Sequence, residues 1–433
     1  MRLQIERDAL AEAVAWVARA LPARPVVPLL SGMLLEAAEG LTLSCFDYDL
    51  SARFEAKAEV TEPGSALVPG RLLAEITRSL AGETAEFESE TDSIGLSCGA
   101  AEFTLVRLAM EEYPALPELP SPVGIVDGAD LAAAVSQVVS SASRDDTLPM
   151  LTGVFAEIDG DTITLVATDR YRLAVRRLPW TPARPELRAS ALIPARALAE
   201  AARTMTSGGH VAISLRDPDD QGAAGGPGPL TSDGMIGFEG AGRRLTTRLL
   251  GGEFLKYSSR FPAEFGSRAE VASGPLIEAV RRVSLVAERG SPVRLAFGDD
   301  EVVIEAGSQG QARAVERVPA VFAGDERVIA FSPHYLLDGL TAAATHSPSP
   351  SPAPAAAGGS AEDAGTAGRV AAPGRIRLEF TSAVRPAVIT SVPGGPDGDE
   401  GQGGPGEGPS AGPDGGTPDF RYLVVPLRMP GST

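Results

Sequence analysis

The sequence is poor in the residues on which much soluble chemistry depends. Its two cysteines, Cys45 and Cys98, can form neither a disulfide framework nor a four-ligand zinc site, so they read as small buried hydrophobes. The three histidines, His210, His334 and His346, make no HExxH arrangement, and no GxxxxGKS or GxxxxGKT phosphate loop occurs. Aromatic residues make up only 5%, so a core drawn from the 43% hydrophobic content must pack Leu, Val, Ile and Ala. No run of about 18 apolar residues is present to cross a bilayer. The opening MRLQIERDAL has no signal-peptide core, so a cytoplasmic protein is expected. Positive charge is scarce too, with 38 Lys and Arg against 57 Asp and Glu, a net charge of -19. That balance argues at first sight against nucleic acid. Charges more than about 8 Å apart are largely screened at physiological salt, however, so where the cations stand matters more than their sum.

What the chain does have is repetition. In DLAAAVSQVVS, Asp130 to Ser140, the residues Leu131, Val135 and Val138 share one helix face, with Ser136 and Gln137 turned away. Leu10, Val14 and Val17 repeat the pattern, and so do Leu276, Val280 and Val283. A second helix, with Leu72, Leu73, Ile76 and Leu80 on its apolar side, is predicted after Pro69 and again after Pro194. The intervals from Leu10 to Leu131 and from Pro69 to Pro194 are nearly equal, roughly 120 residues. The third copy has its second helix at FSPHYLLDGLTAA. Strands are predicted between the helices, among them the pairs in GLTLSCFDYDLSARFEA and DGDTITLVATDRYRLAV. The order helix, strands, helix, strands implies an α+β fold in three tandem domains, 1–121, 122–264 and 265–433, with PALPELPSPVG as a linker. Low-complexity insertions are expected at about 217–234, 346–374 and 393–417, since Ser, Pro, Gly and acidic residues bury too little apolar surface to offset ordering.

Catalytic constellations are absent, and no metal or cofactor is expected. GEGPSA (406–411) matches GxGxxA by letters but follows no strand, which removes the physical basis of a nucleotide site. Asp47 and Asp49 would share a strand face and read as an exposed strand end, and Asp145 with Asp146 reads as a loop. The arginines are more informative. Arg71 and Arg78 on one second helix and Arg196 and Arg203 on the next each project from a single face, which suits sequence-independent phosphate contact. The third copy has no Lys or Arg in its second helix, which weakens the pattern.

Several blocks resemble the bacterial sliding clamps, the beta subunits of DNA polymerase III. They are RPVVPLLSGMLLEA, LVATDRYRLAV, LTTRLLGGEFLKYSSRFP, RIRLEFTSAVRPAVITS and the closing YLVVPLRMPG, which is actinobacterial in style. The resemblance implies a non-enzymatic homodimeric ring of clamp domains, with helices lining the inside and sheets outside, that encircles duplex DNA. It implies Arg24, Arg71, Arg144 and Arg196 as DNA-facing, and Phe103, Leu105, Leu285 and Val286 as subunit-interface residues. It also implies a cleft that takes linear motifs of polymerase, loader and repair proteins. The matching positions are Leu151, Thr168, Arg170, Tyr171, Arg172, Leu173, Leu255, Ser259 and Arg260, with Leu423, Val425, Pro426, Leu427, Arg428 and Met429 from the C-terminal segment. There an exposed strand edge would suit an extended peptide. The family's usual TDGHRL stands here as TDRYRL, so Arg170 replaces a glycine and Tyr171 a histidine. That departure opens the alternative of a specialised clamp paralogue, for instance one protecting the cell from a cleft-directed inhibitor.

Overall fold

The computed structural model describes residues 1–119, 121–205, 209–216, 234–288, 290–307, 312–325, 327–345, 374–392 and 419–428. The expected insertions, and with them GEGPSA, His346 and Met429, lie outside the described residues, save Gly234 and Gly374 at their margins. The described chain alternates antiparallel strands with helices α1 (Arg7–Val17), α2 (Gly70–Ser79), α3 (Gly128–Val139), α4 (Ala195–Thr204), α5 (Ser273–Ser284) and α6 (Pro333–Ala344). The helices fall where the sequence predicts them. Each odd-numbered helix follows directly on a strand: Arg2–Glu6, Pro122–Asp127 and Ser267–Ala272. The start of α3 shows how such a junction is made. The Asp127 carboxylate accepts hydrogen bonds from the backbone N–H groups of Ala129 (2.9 Å) and Asp130 (3.0 Å), satisfying donors that no helical carbonyl can reach.

By contacts the chain divides into two compact units, one of residues 1–132, 155–163 and 179–253, the other of 133–154, 164–178 and 254–433. In the first, a five-stranded sheet runs Glu59–Glu62, Arg2–Glu6, Thr84–Ser89, Ser93–Cys98, Ala101–Val106. A nine-stranded sheet contains Leu50–Ala56 paired antiparallel with Arg243–Arg248, Ala52 opposite Leu245. Strands of the first and second repeats thus share one ladder. Buried Leu10, Ala13, Val14 and Val17 of α1 close over this unit's core, where α1 also meets α2. Cys45 is fully buried there and burial pushes its thiol up to about 12, so it behaves as the hydrophobe expected.

In the second unit the sheet passes from Arg172–Pro179 to Phe420–Val424, Ala387–Val392, Arg375–Phe380 and Ser267–Ala272, and onward to Val328–Phe331. The C-terminal strand is therefore hydrogen-bonded on both sides, Leu423 pairing with Leu173 and with Val388. Helices α5 and α6 pack together in this unit, and α6 contacts the C-terminal strand.

Several expectations need correction. Arg2–Glu6 is a strand that the charged N-terminus disguised, although Leu3 and Ile5 point inward in strict alternation. Three strands follow α2, and the expected linker ends in the strand Pro122–Asp127. Leu72 is 46% exposed rather than on the buried face of α2. Gln137 is buried, and its amide donates to the carbonyls of Ala342 and Thr345, both at 2.9 Å. Ser136 is exposed as expected, but Gln137 belongs to an interhelical bond and not to a free surface. Asp47 and Asp49 stand in a turn beyond the strand Leu41–Phe46, where Asp47 Oδ1 accepts from the N–H of Asp49 and of Leu50 while Tyr48 takes φ 73°.

The packing of α6 on the C-terminal strand generates a prediction whose sign opposes helix propensity. A Cβ at Gly339 would lie 2.4 Å from the Tyr422 ring. Gly339→Ala gains about 1 kcal/mol of helix propensity, but overpacking costs about 1–3 kcal/mol, and a buried ring has little room to retreat. Chemical denaturation should show net destabilisation; a more stable variant would sink this account.

Candidate functional site

The cleft is built on the turn TDRYRL, between the strands Thr162–Thr168 and Arg172–Pro179. Asp169 Oδ1 accepts from the N–H of Tyr171 (3.0 Å) and of Arg172 (3.1 Å), and Thr168 Oγ1 donates to the Arg172 carbonyl at 2.6 Å. Threonine and aspartate side chains here replace the hydrogen bonds that a two-strand ladder loses where it reverses. The turn requires a left-handed residue, and Arg170 supplies it with φ 80°. A non-glycine residue there costs about 1–2 kcal/mol.

Arg172 lies buried behind the turn, 8% exposed. Its Nε donates to Asp169 Oδ2 at 3.0 Å, Nη1 to Asp338 and Nη2 to the Ser140 carbonyl. Its guanidinium carbon sits 4.7 Å from the centroid of the Tyr335 ring, which stacks on Tyr171 at 5.9 Å. Burial works against the Arg172 charge, but Tyr422, Asp338 and Asp169 outweigh it and raise the pKa further. Burial likewise pushes the Tyr422 hydroxyl upward, against the pull of Arg172. That hydroxyl donates to the Tyr335 carbonyl at 2.8 Å. The planar fork of an arginine suits this convergence of acceptors.

Beside this cluster opens a cavity of about 550 Å³. Its apolar lining comes from Leu151, Leu173, Leu255, Leu423, Val425 and Pro386, with Thr168, Ser259, Arg170, Arg172 and Arg260 supplying polar atoms. Most positions expected for the cleft are thus brought together. Pro386 was missed, for it stands inside the block SAVRPAVITS with no local signal of a pocket. Tyr171 is instead 52% exposed on the Tyr335 stack, Pro426 is buried, Leu427 is half-buried and Arg428 exposed, and none of these lines the cavity. The exposed edge expected of the C-terminal strand does not exist, because Phe420–Val424 is paired on both sides. The segment after it is tied down as well: Val425 N–H donates to Tyr171 O and Leu427 N–H to Ala330 O, both at 2.8 Å.

The other candidates divide. Arg24, Arg71, Arg144 and Arg196 are all exposed, and none has a carboxylate partner among the described residues. Arg71 donates to the Pro22 carbonyl at 3.0 Å. Arg196 borders a second cavity of about 700 Å³ with Arg19, Arg203 and Glu200, where Glu200 pairs with both other arginines. Of the interface candidates, Leu285 is 84% exposed while Phe103 and Val286 are half-buried. Leu105 is sealed in its own core at 1%, because strand parity turns it inward and its neighbour Val106 outward, 67% exposed. Asp145 closes a surface turn with Thr147, whose hydrogen bonds hold its carboxyl below the usual range. Among the described residues no group of three His, Cys, Asp or Glu could hold a metal ion, and no helix is long and apolar enough to cross a membrane.

Comparison with known proteins matches three consecutive sequence models of the DNA polymerase III beta subunit: the N-terminal domain at residues 1–117, the central domain at 125–256 and the C-terminal domain at 258–347. The beta sliding clamp of Streptomyces coelicolor is 44% identical over 433 residues, covering all of both chains. The beta sliding clamp homolog GriR of Streptomyces muensis is 44% identical over 342 residues, 79% of this chain and 88% of its own. In fold, the sliding clamp of Bacillus subtilis superposes with a TM-score of 0.77 at 24% identity, covering 99% of each chain. The Pseudomonas aeruginosa sliding clamp bound to griselimycin gives 0.76 at 22%, covering 99% and 100%.

The buried cluster supplies the test of this site's construction. Arg172→Ala leaves carboxylates and a carbonyl without their donor, and should destabilise by about 3–5 kcal/mol. Arg172→Lys should recover only part, since an ammonium cannot reach acceptors on several sides at once. Denaturation midpoints that match the wild type would show that the cluster contributes no structure.

Proposed function

The chain belongs to the DNA polymerase III beta-subunit family, the sliding clamps, and we propose that it closes as a homodimer into a ring around duplex DNA and tethers polymerase, loader and repair proteins through its cleft. The observation that carries this reading is the cavity, which gathers the side chains expected for motif capture from chain segments as far apart as Leu151, Arg260 and Val425. The family match to three clamp domains supports the ring, and domain limits near 1–121, 122–264 and 265–433 belong to this proposal. Topology rather than affinity would then hold the DNA, so a few arginines suffice on an otherwise acidic chain. Arg24, Arg71, Arg144 and Arg196, exposed and without carboxylate partners among the described residues, suit phosphate contacts that position without reading sequence. For a subunit interface, the first unit offers Phe103 and the outward Val106, with Leu105 filling the core behind, and the second unit offers Leu285 and Val286. Nothing in this role requires catalysis.

A second reading is favoured by Arg170 in the cleft, where the family usually has glycine: a specialised paralogue with altered partners. The relative GriR, named a homolog of the clamp, supports keeping it in view.

One measurement tests the ring, and a second separates the two readings. Loaded on nicked circular DNA, the protein should remain bound through a salt wash and leave when the circle is linearised; a groove binder would leave both forms alike. A peptide from the clamp-binding region of the replicative polymerase should bind the cleft, and no binding at high micromolar concentration would sink the general replication role in favour of the specialist.

A further inference from the structure

The polar atoms lining the cavity are almost all engaged within the protein. Thr168 Oγ1 donates to Arg172 O and accepts from Arg170 N–H at 3.2 Å, Ser259 Oγ donates to Lys256 O at 3.0 Å, and the Arg172 guanidinium is consumed by Asp169, Asp338 and Ser140. The backbone of the strand behind is paired on both sides. A bound chain therefore cannot be added as a strand to Phe420–Val424, and side-chain donors are the groups left to orient it by charge. Two remain. Arg170 and Arg260 are exposed on the lining, and neither has an ion-pair partner among the described residues. Asp145 feels the field of Arg170 but forms no ion pair with it, its Oδ1 being held by Thr147.

We propose that the cleft selects extended peptides that set a carboxylate against Arg170 and Arg260 while their apolar side chains fill the pocket of Leu151, Leu173 and Leu423. This rests on the reading of the cavity as a peptide cleft and names the partner chemistry it takes. A guanidinium presents paired donors that fit the two oxygens of Asp or Glu, and beside an apolar floor that pair is less screened than on open surface. The backbone adds an independent argument. At φ 80° a glycine would be relaxed, so an arginine there is held against a conformational cost, the kind of outlier that marks function. The cavity lining is Leu, Val and Pro with no aromatic ring, so it lacks the stacking platform on which single-stranded nucleic acid bases are held.

The test displays random heptapeptides against the full-length protein and against Arg170→Gly, Arg260→Ser and Val425→Arg. Arg170→Gly removes the cation and relieves the turn, so its thermal melt should be no lower than wild type, and a circular dichroism melt checks that each variant is folded. Wild type should enrich peptides that combine apolar residues with Asp or Glu at a fixed offset. For the best of them, replacing the acid by its amide should weaken binding about threefold to tenfold at low salt, and this ratio should fall towards one in Arg170→Gly and in high salt. An unchanged ratio in both Arg170→Gly and Arg260→Ser would overturn the proposal, as would displacement of the acidic peptide by an equal concentration of an oligothymidine. Apolar peptides lost on Val425→Arg but indifferent to an acid overturn the charge selection alone. Peptides that ignore Val425→Arg would overturn the cleft reading beneath it.

Discussion

Strand edges are the constraint on which this structure depends. A repeat that ends in an open strand presents unpaired N–H and C=O groups, which invite aggregation unless something covers them. Here the repeats cover one another. Arg243–Arg248 of the second copy continues onto Leu50–Ala56 of the first, and Phe420–Val424 of the third continues onto Arg172–Pro179 of the second. The second junction also decides what the cleft can do. By committing both edges of the C-terminal strand to the fold, it fixes Leu423 and Leu173 side by side as a rigid apolar wall. The same commitment takes up the strand's own main-chain groups, so a peptide cannot bind by extending the sheet there.

The arginines behind and in front of that wall do opposite jobs. Arg172 is buried and answered on several sides, so its charge is spent on holding the turn, the C-terminal strand and α6 in one arrangement. Removing it would be costly because its partners would be left desolvated, not because an ion pair is intrinsically strong. Arg170, two residues earlier, is exposed and forms no ion pair among the described residues, although its charge reaches the Asp145 carboxylate. One side chain sets geometry and the other leaves charge available. Both stand in the turn that Asp169 caps, Arg170 at its exposed left-handed position and Arg172 buried at the start of the strand that follows.

The repeat was legible in the sequence because helix periodicity survives in Leu10, Leu131 and Leu276, all of which are buried at the expected places. The family blocks made most of the cleft legible as well. What escaped was decided by neighbours distant in the chain. Gln137 looks like a solvent-facing residue on α3 until the carbonyls of Ala342 and Thr345 arrive to bury its amide. Leu105 and Val106 are equally apolar, and only register, Ile94 opposite Leu105, says which one faces the core. The C-terminal strand reads as an available edge because nothing local reveals that Arg172–Pro179 and Ala387–Val392 flank it. Pro386 entered the cavity by the same long-range pairing.

Net charge was the least informative number at the outset, and the structure explains why. Many of the acidic residues are occupied locally: Glu270 pairs with Arg377, Glu305 with Arg294 and Arg313, and Glu316 with Arg282, on surfaces where each pair contributes little stability. Such pairs nevertheless neutralise arginines that would otherwise attract any polyanion. Other exposed arginines have no ion pair among the described residues, Arg78, Arg184 and Arg385 included. Arg24, Arg144 and Arg196, and Arg170 and Arg260 at the cleft, are among the arginines that form no ion pair with a described carboxylate. An excess of acid on the chain as a whole therefore sharpens the positive sites: it repels polyanions from most of the surface and leaves attraction only at the places where an unpaired guanidinium is exposed.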